Sequence, residues 1–162
     1  MMKKHVKTNA MRILDVHKIR YEVLTYECDD FIDGIQIADL MGEPYESSFK
    51  TLVLQGKSKE FYVFVVPING HIDLKKAAKL TGEKNIELIP TKDCLKVAGY
   101  ARGTVSPIGM KKQYKTFFHQ SAQQYDQICL SGGKKGISLK LNPCEVAALL
   151  QAPFAEFCQP EE

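Results

Sequence analysis

The fold of this chain is decided by the stretch Phe49-Lys50-Thr51-Leu52-Val53-Leu54, which is followed by Gln55-Gly56-Lys57-Ser58 and by a second run from Glu60 to Pro67. Both runs are rich in β-branched and aromatic residues, which favour strands. The polar segment between them contains a glycine and is typical of a turn. The pattern therefore predicts a β-hairpin.

Helix and strand patterns alternate on both sides of this hairpin. Apolar positions at helical spacing, with capping residues and terminal glycines, predict helices over 8–18, 35–41, 74–80, 91–97 and 142–150. Runs of strand-favouring residues predict strands over 21–26, 86–89, 115–119, 127–130 and 137–141. We therefore expect a single mixed α/β domain over residues 1–162, with a barrel-like sheet of about six or seven strands packed by helices.

The composition limits the class of protein. The chain has 162 residues and a net charge of +3, which permits contact with nucleic acid without requiring it. No apolar run is long enough to span a membrane, and the basic start lacks the apolar core of a signal peptide, so we expect a cytoplasmic protein without a membrane partner. The five cysteines show no Cys-x-x-Cys spacing, so we expect neither a metal nor another cofactor.

Two glycine-rich segments contain almost no acidic residues. The first is Gly99-Tyr100-Ala101-Arg102-Gly103-Thr104-Val105-Ser106-Pro107-Ile108-Gly109, followed by Met110-Lys111-Lys112, and the second is Ser131-Gly132-Gly133-Lys134-Lys135-Gly136. Glycine lets a backbone approach a ligand closely, and the lysines add positive charge. Together they predict a pocket for a large anion, such as the end of a nucleic acid. The second segment fits a simple hairpin turn equally well.

Lys50 is the strongest candidate for chemistry from the residues alone, because it begins an apolar strand after Phe49. Its ammonium group would bind phosphate or polarise a carbonyl oxygen in a pocket, although an exposed lysine at a strand end remains the alternative. None of the four histidines stands beside an acid and a nucleophile at a recognisable spacing. Asp29, Asp30 and Asp33 lack the spacing of a calcium loop and are expected to form a solvated loop.

Taken in order, these features resemble the YbaK/EbsC/ProX family of aminoacyl-tRNA editing domains, over about residues 8–156. The segments that carry the resemblance are Thr25-Tyr26-Glu27, Phe49-Lys50-Thr51-Leu52, Val66-Pro67 with Leu74-Lys75-Lys76, and both glycine-rich segments. The resemblance implies a mixed α/β domain with a barrel-like sheet. It also implies release of a wrong amino acid from the 3′ end of tRNA.

The resemblance also implies roles for particular residues. Lys50 matches the family's essential lysine. The residues implied to line or shape the same site are Tyr26, Thr51, Gly103, Ser106, Pro107, Gly132 and Gly133. The chain departs from the family at Ser138, where an acid is common, and at Thr104, where close relatives carry a glycine. Cys28 does not inherit a catalytic role.

The implied activity is trans-acting deacylation of mischarged Cys-tRNA(Pro) beside prolyl-tRNA synthetase. The family's cysteine substrate brings its own nucleophile, because its thiol can attack the neighbouring carbonyl and leave as a cyclic thiolactone. Two alternatives remain open at this point. One is an Ala-tRNA(Pro) deacylase of the same superfamily, and the other is a module that binds the tRNA acceptor end without catalysis.

Overall fold

The predicted hairpin forms the centre of the structure. In the computed structural model, which describes residues 7–28 and 32–160, β2 (Phe49–Gly56) and β3 (Phe61–Pro67) pair antiparallel. Phe49 lies opposite Pro67 and Gln55 opposite Phe61. The turn between the strands contains Lys59, which adopts a φ of 79°.

The hairpin forms part of a five-stranded sheet with the strand order β4-β2-β3-β5-β8. Its further strands are β4 (Ile86–Leu88), β5 (Lys115–His119) and β8 (Phe154–Ala155). β4 runs antiparallel to β2, whereas β5 runs parallel to β3 and β8 parallel to β5. Phe64 packs against Phe117 and Phe157 at centroid distances of 5.0 and 4.9 Å, which holds the C-terminal segment on the sheet.

A second, three-stranded sheet has the order β1-β7-β6 and is antiparallel throughout. It consists of β1 (Tyr21–Thr25), β6 (Ile128–Lys134) and β7 (Ile137–Leu141). The β6–β7 register shifts between Ser131 and Lys134, so the second glycine-rich segment forms an irregular strand end rather than a turn alone. Buried apolar side chains of β6 and β7 pack against the N-terminal and C-terminal helices.

The helices are α1 (Asn9–Val16), α2 (Gly34–Met41), α3 (Leu74–Thr81), α4 (Cys94–Ala98) and α5 (Pro143–Leu150). Side chains of Thr8, Asp33, Asp73 and Asn142 accept backbone N–H bonds at the helix starts, which explains where four of these helices begin. The predicted 91–97 helix starts as a 3₁₀ turn, Thr91–Asp93, before α4. None of the helices in the described ranges has the length and apolarity needed to cross a bilayer.

The mixed α/β class is confirmed, but the prediction of a barrel-like sheet was wrong. The described residues form eight strands in two sheets, and these sheets do not close into a barrel. β2 and β6 meet at a single bridge between Ser48 and Cys129 and then diverge. Closure of a barrel would need continuous hydrogen bonding between β2 and β6. A gap forms between these strands instead, and this gap holds the candidate site.

Candidate functional site

A cavity of about 280 Å³ lies where the two sheets separate. One end of the gap is closed by Cys129, whose backbone N–H bonds to Ser47 at 2.9 Å, and the other end by Ile89, whose N–H bonds to the Val53 carbonyl at 3.1 Å. α2 covers one side, and Arg102, Gly103 and Val105 of the first glycine-rich segment border another. Lys50, Thr51, Tyr26 and Gly103 all line this main cavity.

Lys50 lies at the wall of the main cavity and is only partly exposed. Its Nζ donates a hydrogen bond of 3.2 Å to the carbonyl oxygen of Gly70, which fixes the direction of the side chain. Burial lowers the pKa of Lys50 below its usual value, since an ammonium group loses hydration there. The nearby Cys158 and Asp33 oppose this shift. The ammonium group has three N–H donors, so the bond to Gly70 leaves two of them for a ligand.

Thr51 lines the main cavity at the open edge of β2. Its Oγ1 is buried and has no hydrogen-bond partner in the part of the chain that the structure describes. A buried hydroxyl without a partner costs about 1–3 kcal/mol, and this oxygen is covered by protein atoms rather than open to the cavity. Val53 directs its carbonyl to the edge of β2 that faces Ile89, and backbone direction alternates along a strand. The backbone N–H and C=O of Thr51 therefore face the same edge, at the gap between the sheets.

The two glycine-rich segments meet through Ser131. Its hydroxyl donates to the Thr104 carbonyl at 2.8 Å and accepts from the Gly133 backbone N–H at 3.1 Å. Ser131 also lines the main cavity, beside Gly103, whose φ of 82° is in the left-handed region that favours glycine. Ser131 was not among the candidates predicted from the sequence, although a polar residue that ends the apolar run Ile128–Leu130 was a usable signal.

Four of the residues implied by the resemblance are not in the wall of the main cavity. Ser106 is fully buried and accepts the Ile108 backbone N–H at 3.2 Å, which stabilises its own turn, and Pro107 follows it there. A side chain at Gly132 would lie 2.6 Å from Ile137, and one at Gly133 would lie 2.8 Å from Tyr100. These glycines allow close packing behind the cavity.

The wall also contains the Asp33 carboxylate, which accepts the Gln36 N–H at the start of α2. The other polar groups of the wall supply neither an obvious base nor an activated nucleophile. Cys129 is buried, and burial raises the pKa of its thiol to about 12, which keeps it protonated and poorly nucleophilic at neutral pH. Ser138 lines the wall and is almost fully buried. Tyr26 has its pKa raised by burial and stays a neutral phenol. No histidine of the described residues lines the cavity.

The structure does not bring a metal-binding set together within residues 7–28 and 32–160, where no group of three or more His, Cys, Asp or Glu side chains is suitably placed. Asp33 caps α2 by accepting the Gln36 N–H at 2.9 Å. Asp29 and Asp30, which the sequence analysis placed in a solvated loop, lie outside the described residues.

Comparisons with known proteins agree with this fold. Residues 35–149 match the aminoacyl-tRNA editing domain family. A protein of Enterococcus faecalis, provisionally named Cys-tRNA(Pro)/Cys-tRNA(Cys) deacylase EbsC, is 40% identical over 156 residues, covering 96% of this chain and 95% of the relative.

Two solved structures share the fold at low sequence identity. One, described provisionally as a trans-editing enzyme for prolyl tRNA synthetase, has a TM-score of 0.81 and 21% identity, over 96% of this chain and all of the other. The hypothetical protein APE2540 has a TM-score of 0.87 and 16% identity, over 94% of this chain and 100% of the other.

The family match and the sequence relative define a class of protein that acts on aminoacyl-tRNA. The match over residues 35–149 and the 40% identity to the Enterococcus faecalis protein are specific to one family. This chain belongs to the aminoacyl-tRNA editing domain family.

Proposed function

We propose that this chain, as one editing domain over residues 1–162, releases cysteine from mischarged Cys-tRNA(Pro). It acts in trans in the cytoplasm, where prolyl-tRNA synthetase produces that error. The observation that carries the proposal is the partly buried Lys50 in the wall of the main cavity, next to the backbone of Thr51 at the open edge of β2. The name of the Enterococcus faecalis relative supports the choice of substrate.

The chemistry needs little from the protein, because an aminoacyl ester is already activated. Positioning and stabilisation of the developing negative charge supply most of the rate in such reactions. We assign Lys50, whose Nζ is held 3.2 Å from the Gly70 carbonyl, to the ester carbonyl oxygen. The Thr51 and Gly103 backbones border the same space and are assigned as additional hydrogen-bonding groups. Tyr26 forms part of the substrate-facing wall.

The substrate itself provides the nucleophile in this proposal. The cysteine sulfur forms a bond to its own carbonyl carbon, the bond from that carbon to the ribose oxygen breaks, and the ribose oxygen takes a proton. The products are a cyclic thiolactone and uncharged tRNA. Cys129, with its pKa raised to about 12, is a poor alternative nucleophile.

This route also explains how selectivity arises in a cavity much larger than a cysteine side chain. Size alone separates cysteine from alanine or serine by only about 1–3 kcal/mol. A cavity of about 280 Å³ cannot exclude either smaller or similar side chains. Alanine lacks any internal nucleophile and serine has a weaker one, so we expect the release rate to follow the thiol rather than the size of the side chain.

The deciding experiment measures release of radiolabelled cysteine from Cys-tRNA(Pro) by wild type and by Lys50→Ala, with Ala-tRNA(Pro) as the matched substrate. We expect fast, Lys50-dependent loss of cysteine and little loss of alanine. Comparable loss of both amino acids would replace thiol attack by attack of water. Loss of alanine alone would overturn the cysteine assignment, and binding of tRNA without release of either would leave a non-catalytic module.

A further inference from the structure

A second cavity, of about 420 Å³, lies between the end of β5, the loop after β3 and residues 156–160. No described residue lines both this cavity and the main one. We call it the His119 cavity. Its wall includes Ser121, His119 and Glu156, which provide a hydroxyl, an imidazole and a carboxylate that the proposed function does not use.

Hydrogen bonds join these three side chains in series. Ser121 Oγ lies 2.8 Å from Nδ1 of His119, and Nε2 of the same ring lies 3.1 Å from Glu156 Oε2. Sequence spacing did not reveal this set, because Glu156 lies 37 positions beyond His119. A hydroxyl beside a base that a carboxylate orients is the arrangement by which hydrolases activate a serine.

The neighbours of His119 determine which ring nitrogen carries the proton. The backbone N–H of Ser121 donates to Nδ1 at 3.2 Å. A backbone N–H can only donate, so Nδ1 is unprotonated and the ring proton lies on Nε2, directed at Glu156. The Ser121 hydroxyl must then donate its proton to Nδ1 as well. His119 is thus placed as a base for Ser121, whereas capping of the 3₁₀ turn Gln120–Gln124 needs only the backbone bond.

Glu156 is fixed where it can hold the imidazole ring. Its Oε1 accepts the Cys158 backbone N–H at 3.0 Å, and its Oε2 accepts the Gln120 side-chain amide at 3.0 Å as well as His119. Partial burial acts to raise the pKa of Glu156, but the hydrogen bonds and nearby charges lower it overall. The carboxylate therefore stays charged and can stabilise the imidazolium that forms when His119 takes a proton.

The rest of the His119 cavity suits a small ester. Pro67 and Tyr125 supply apolar surface for an acyl chain. Asn69, which is exposed, and Lys76 carry N–H donors, which a developing oxyanion needs. Lys76 Nζ is held at the wall by donating to the Cys158 carbonyl at 2.9 Å. The volume of this cavity is within the range of about 300–1,000 Å³ that is usual for small-molecule sites.

We propose that Ser121, His119 and Glu156 form a second catalytic site, which hydrolyses small carboxylic esters. Ser121 Oγ forms a bond to the carbonyl carbon and gives its proton to Nδ1 of His119. The bond from that carbon to the alcohol oxygen breaks, and the alcohol leaves with the proton. Water then attacks the acyl-serine in the same way, which releases the acid and restores Ser121. Glu156 acts as a positioning residue through His119.

A fluorophosphonate probe tests the nucleophile, because it forms a phosphonyl ester on an activated serine and releases fluoride. We expect one label per chain, and peptide mass spectrometry should locate it on Ser121. His119→Asn keeps an acceptor for the Ser121 N–H but provides no base, so labelling should slow by at least about a hundredfold. No label on wild type, a label on another serine, or equally fast labelling of His119→Asn would overturn the proposal.

Ser58→Ala is the matched control for Ser121→Ala. The Ser58 hydroxyl donates to Glu83 Oε2 at 2.5 Å, so this serine contacts a carboxylate without a histidine between them. Ser58→Ala should label like wild type, and Ser121→Ala should not label. On p-nitrophenyl acetate we expect repeated turnover by wild type and at least about a tenfold lower rate for Ser121→Ala. A single turnover per chain, or equal rates for the two variants, would rule out hydrolysis at this site.

Glu156→Gln tests the positioning role. Its carbonyl oxygen can keep the Cys158 bond, which turns the amide NH₂ toward Nε2 of His119. The ring proton should then move to Nδ1, which can no longer accept from Ser121, and nitrogen NMR of the histidine ring detects this change. We expect the changed tautomer together with slow labelling and an unfolding temperature near that of wild type. Fast labelling despite the moved proton would show that His119 is not the base and would refute the site.

Discussion

At the scale of single residues, Lys50 has a proposed catalytic role, but partial burial of its charge is unfavourable for the stability of the fold. Its ammonium group is partly buried and has a neutral carbonyl, that of Gly70, as its hydrogen-bond acceptor. Lys50→Met keeps most of the length of the side chain and removes the charge, so we expect the unfolding temperature to stay equal or rise. Cysteine release should fall by at least about a hundredfold, as for loss of one charge-stabilising donor. Thermal unfolding and release assays on the same preparation measure both effects.

The opposite result for Lys50→Met would change the role assigned to Lys50. A clear drop in the unfolding temperature of Lys50→Met, with substantial release activity, would identify Lys50 as a structural residue that supports the 67–70 turn. Lys115→Met provides a control, since Lys115 is an exposed lysine on β5 outside the main cavity.

The lowered pKa of Lys50 predicts opposite trends for activity and stability at alkaline pH. Burial lowers this pKa below 10.5. If the ammonium form is active, enzymatic release falls as pH rises through the lowered pKa. Between that pKa and 10.5 the unfolded chain holds the proton more tightly, so the contribution of Lys50 to the free energy of unfolding increases with pH.

Lys50→Met isolates this effect, because other titrating groups cancel when the variant is compared with wild type. The measurement is the difference in unfolding free energy across alkaline pH, beside release rates corrected for spontaneous ester hydrolysis. A release rate that rises through the same range, after that correction, would indicate that neutral Lys50 acts as a base.

The sequence identified a candidate side chain but not the hydrogen-bond partners of the residues around it. Lys50 was recognisable because a charged residue begins an otherwise apolar strand. The unpartnered Thr51 hydroxyl was not, because a missing partner depends on what β6 and residues 102–105 bring near it. Ser131 was missed for a similar reason, because its bond to the Thr104 carbonyl joins segments that lie far apart in sequence.

At the scale of elements, α2 forms one wall of the main cavity and depends on its cap. Asp33 and Gln36 form reciprocal bonds of 2.9 and 3.0 Å, and Gly42 ends the helix with a φ of 70°. Asp33→Ala removes the cap and should destabilise the protein by about 1 kcal/mol. Since α2 lines the cavity, we expect the KM for Cys-tRNA(Pro) to rise as well.

Asp33→Asn separates the cap from the charge. Asparagine caps helices as well as aspartate does, so this variant should keep the stability that Asp33→Ala loses. Asp33→Asn also removes a negative charge that raises the pKa of Lys50. The release rate of this variant should therefore begin to fall at a lower alkaline pH than that of wild type. Equal unfolding free energies for the two variants would show that the cap contributes nothing measurable.

Local patterns predicted the elements well because each depends on neighbouring residues. Capping residues such as Asp73 and Asn142 stand at the starts where the helices begin. β8 was not predicted, since a strand of two residues gains its identity only by pairing with Phe118 and His119. Barrel closure depends on whether β2 and β6 stay together beyond Ser48 and Cys129, which no local pattern reports.

At the scale of the whole molecule, the gap between the sheets provides the site with groups from both. β2 contributes Lys50 and Thr51 from the five-stranded sheet, and β6 contributes Ser131 from the other. A closed barrel would have paired the edge of β2 that now faces the cavity. The departure from the predicted closure is thus what makes backbone groups of β2 available to a ligand.

The proposed site is built around the aminoacyl ester, and this limits which tRNA features the chain can read alone. Its net charge of +3 gives little non-specific attraction for the rest of the tRNA. We therefore expect the isolated protein to release cysteine from Cys-tRNA(Pro) and Cys-tRNA(Cys) at similar rates. Adding prolyl-tRNA synthetase should favour release from Cys-tRNA(Pro), because the synthetase binds that tRNA and holds it near the deacylase. Parallel release assays with and without synthetase measure the ratio, with an unrelated synthetase as control. Strong discrimination by the isolated chain would mean that it contacts the tRNA beyond its terminal nucleotide.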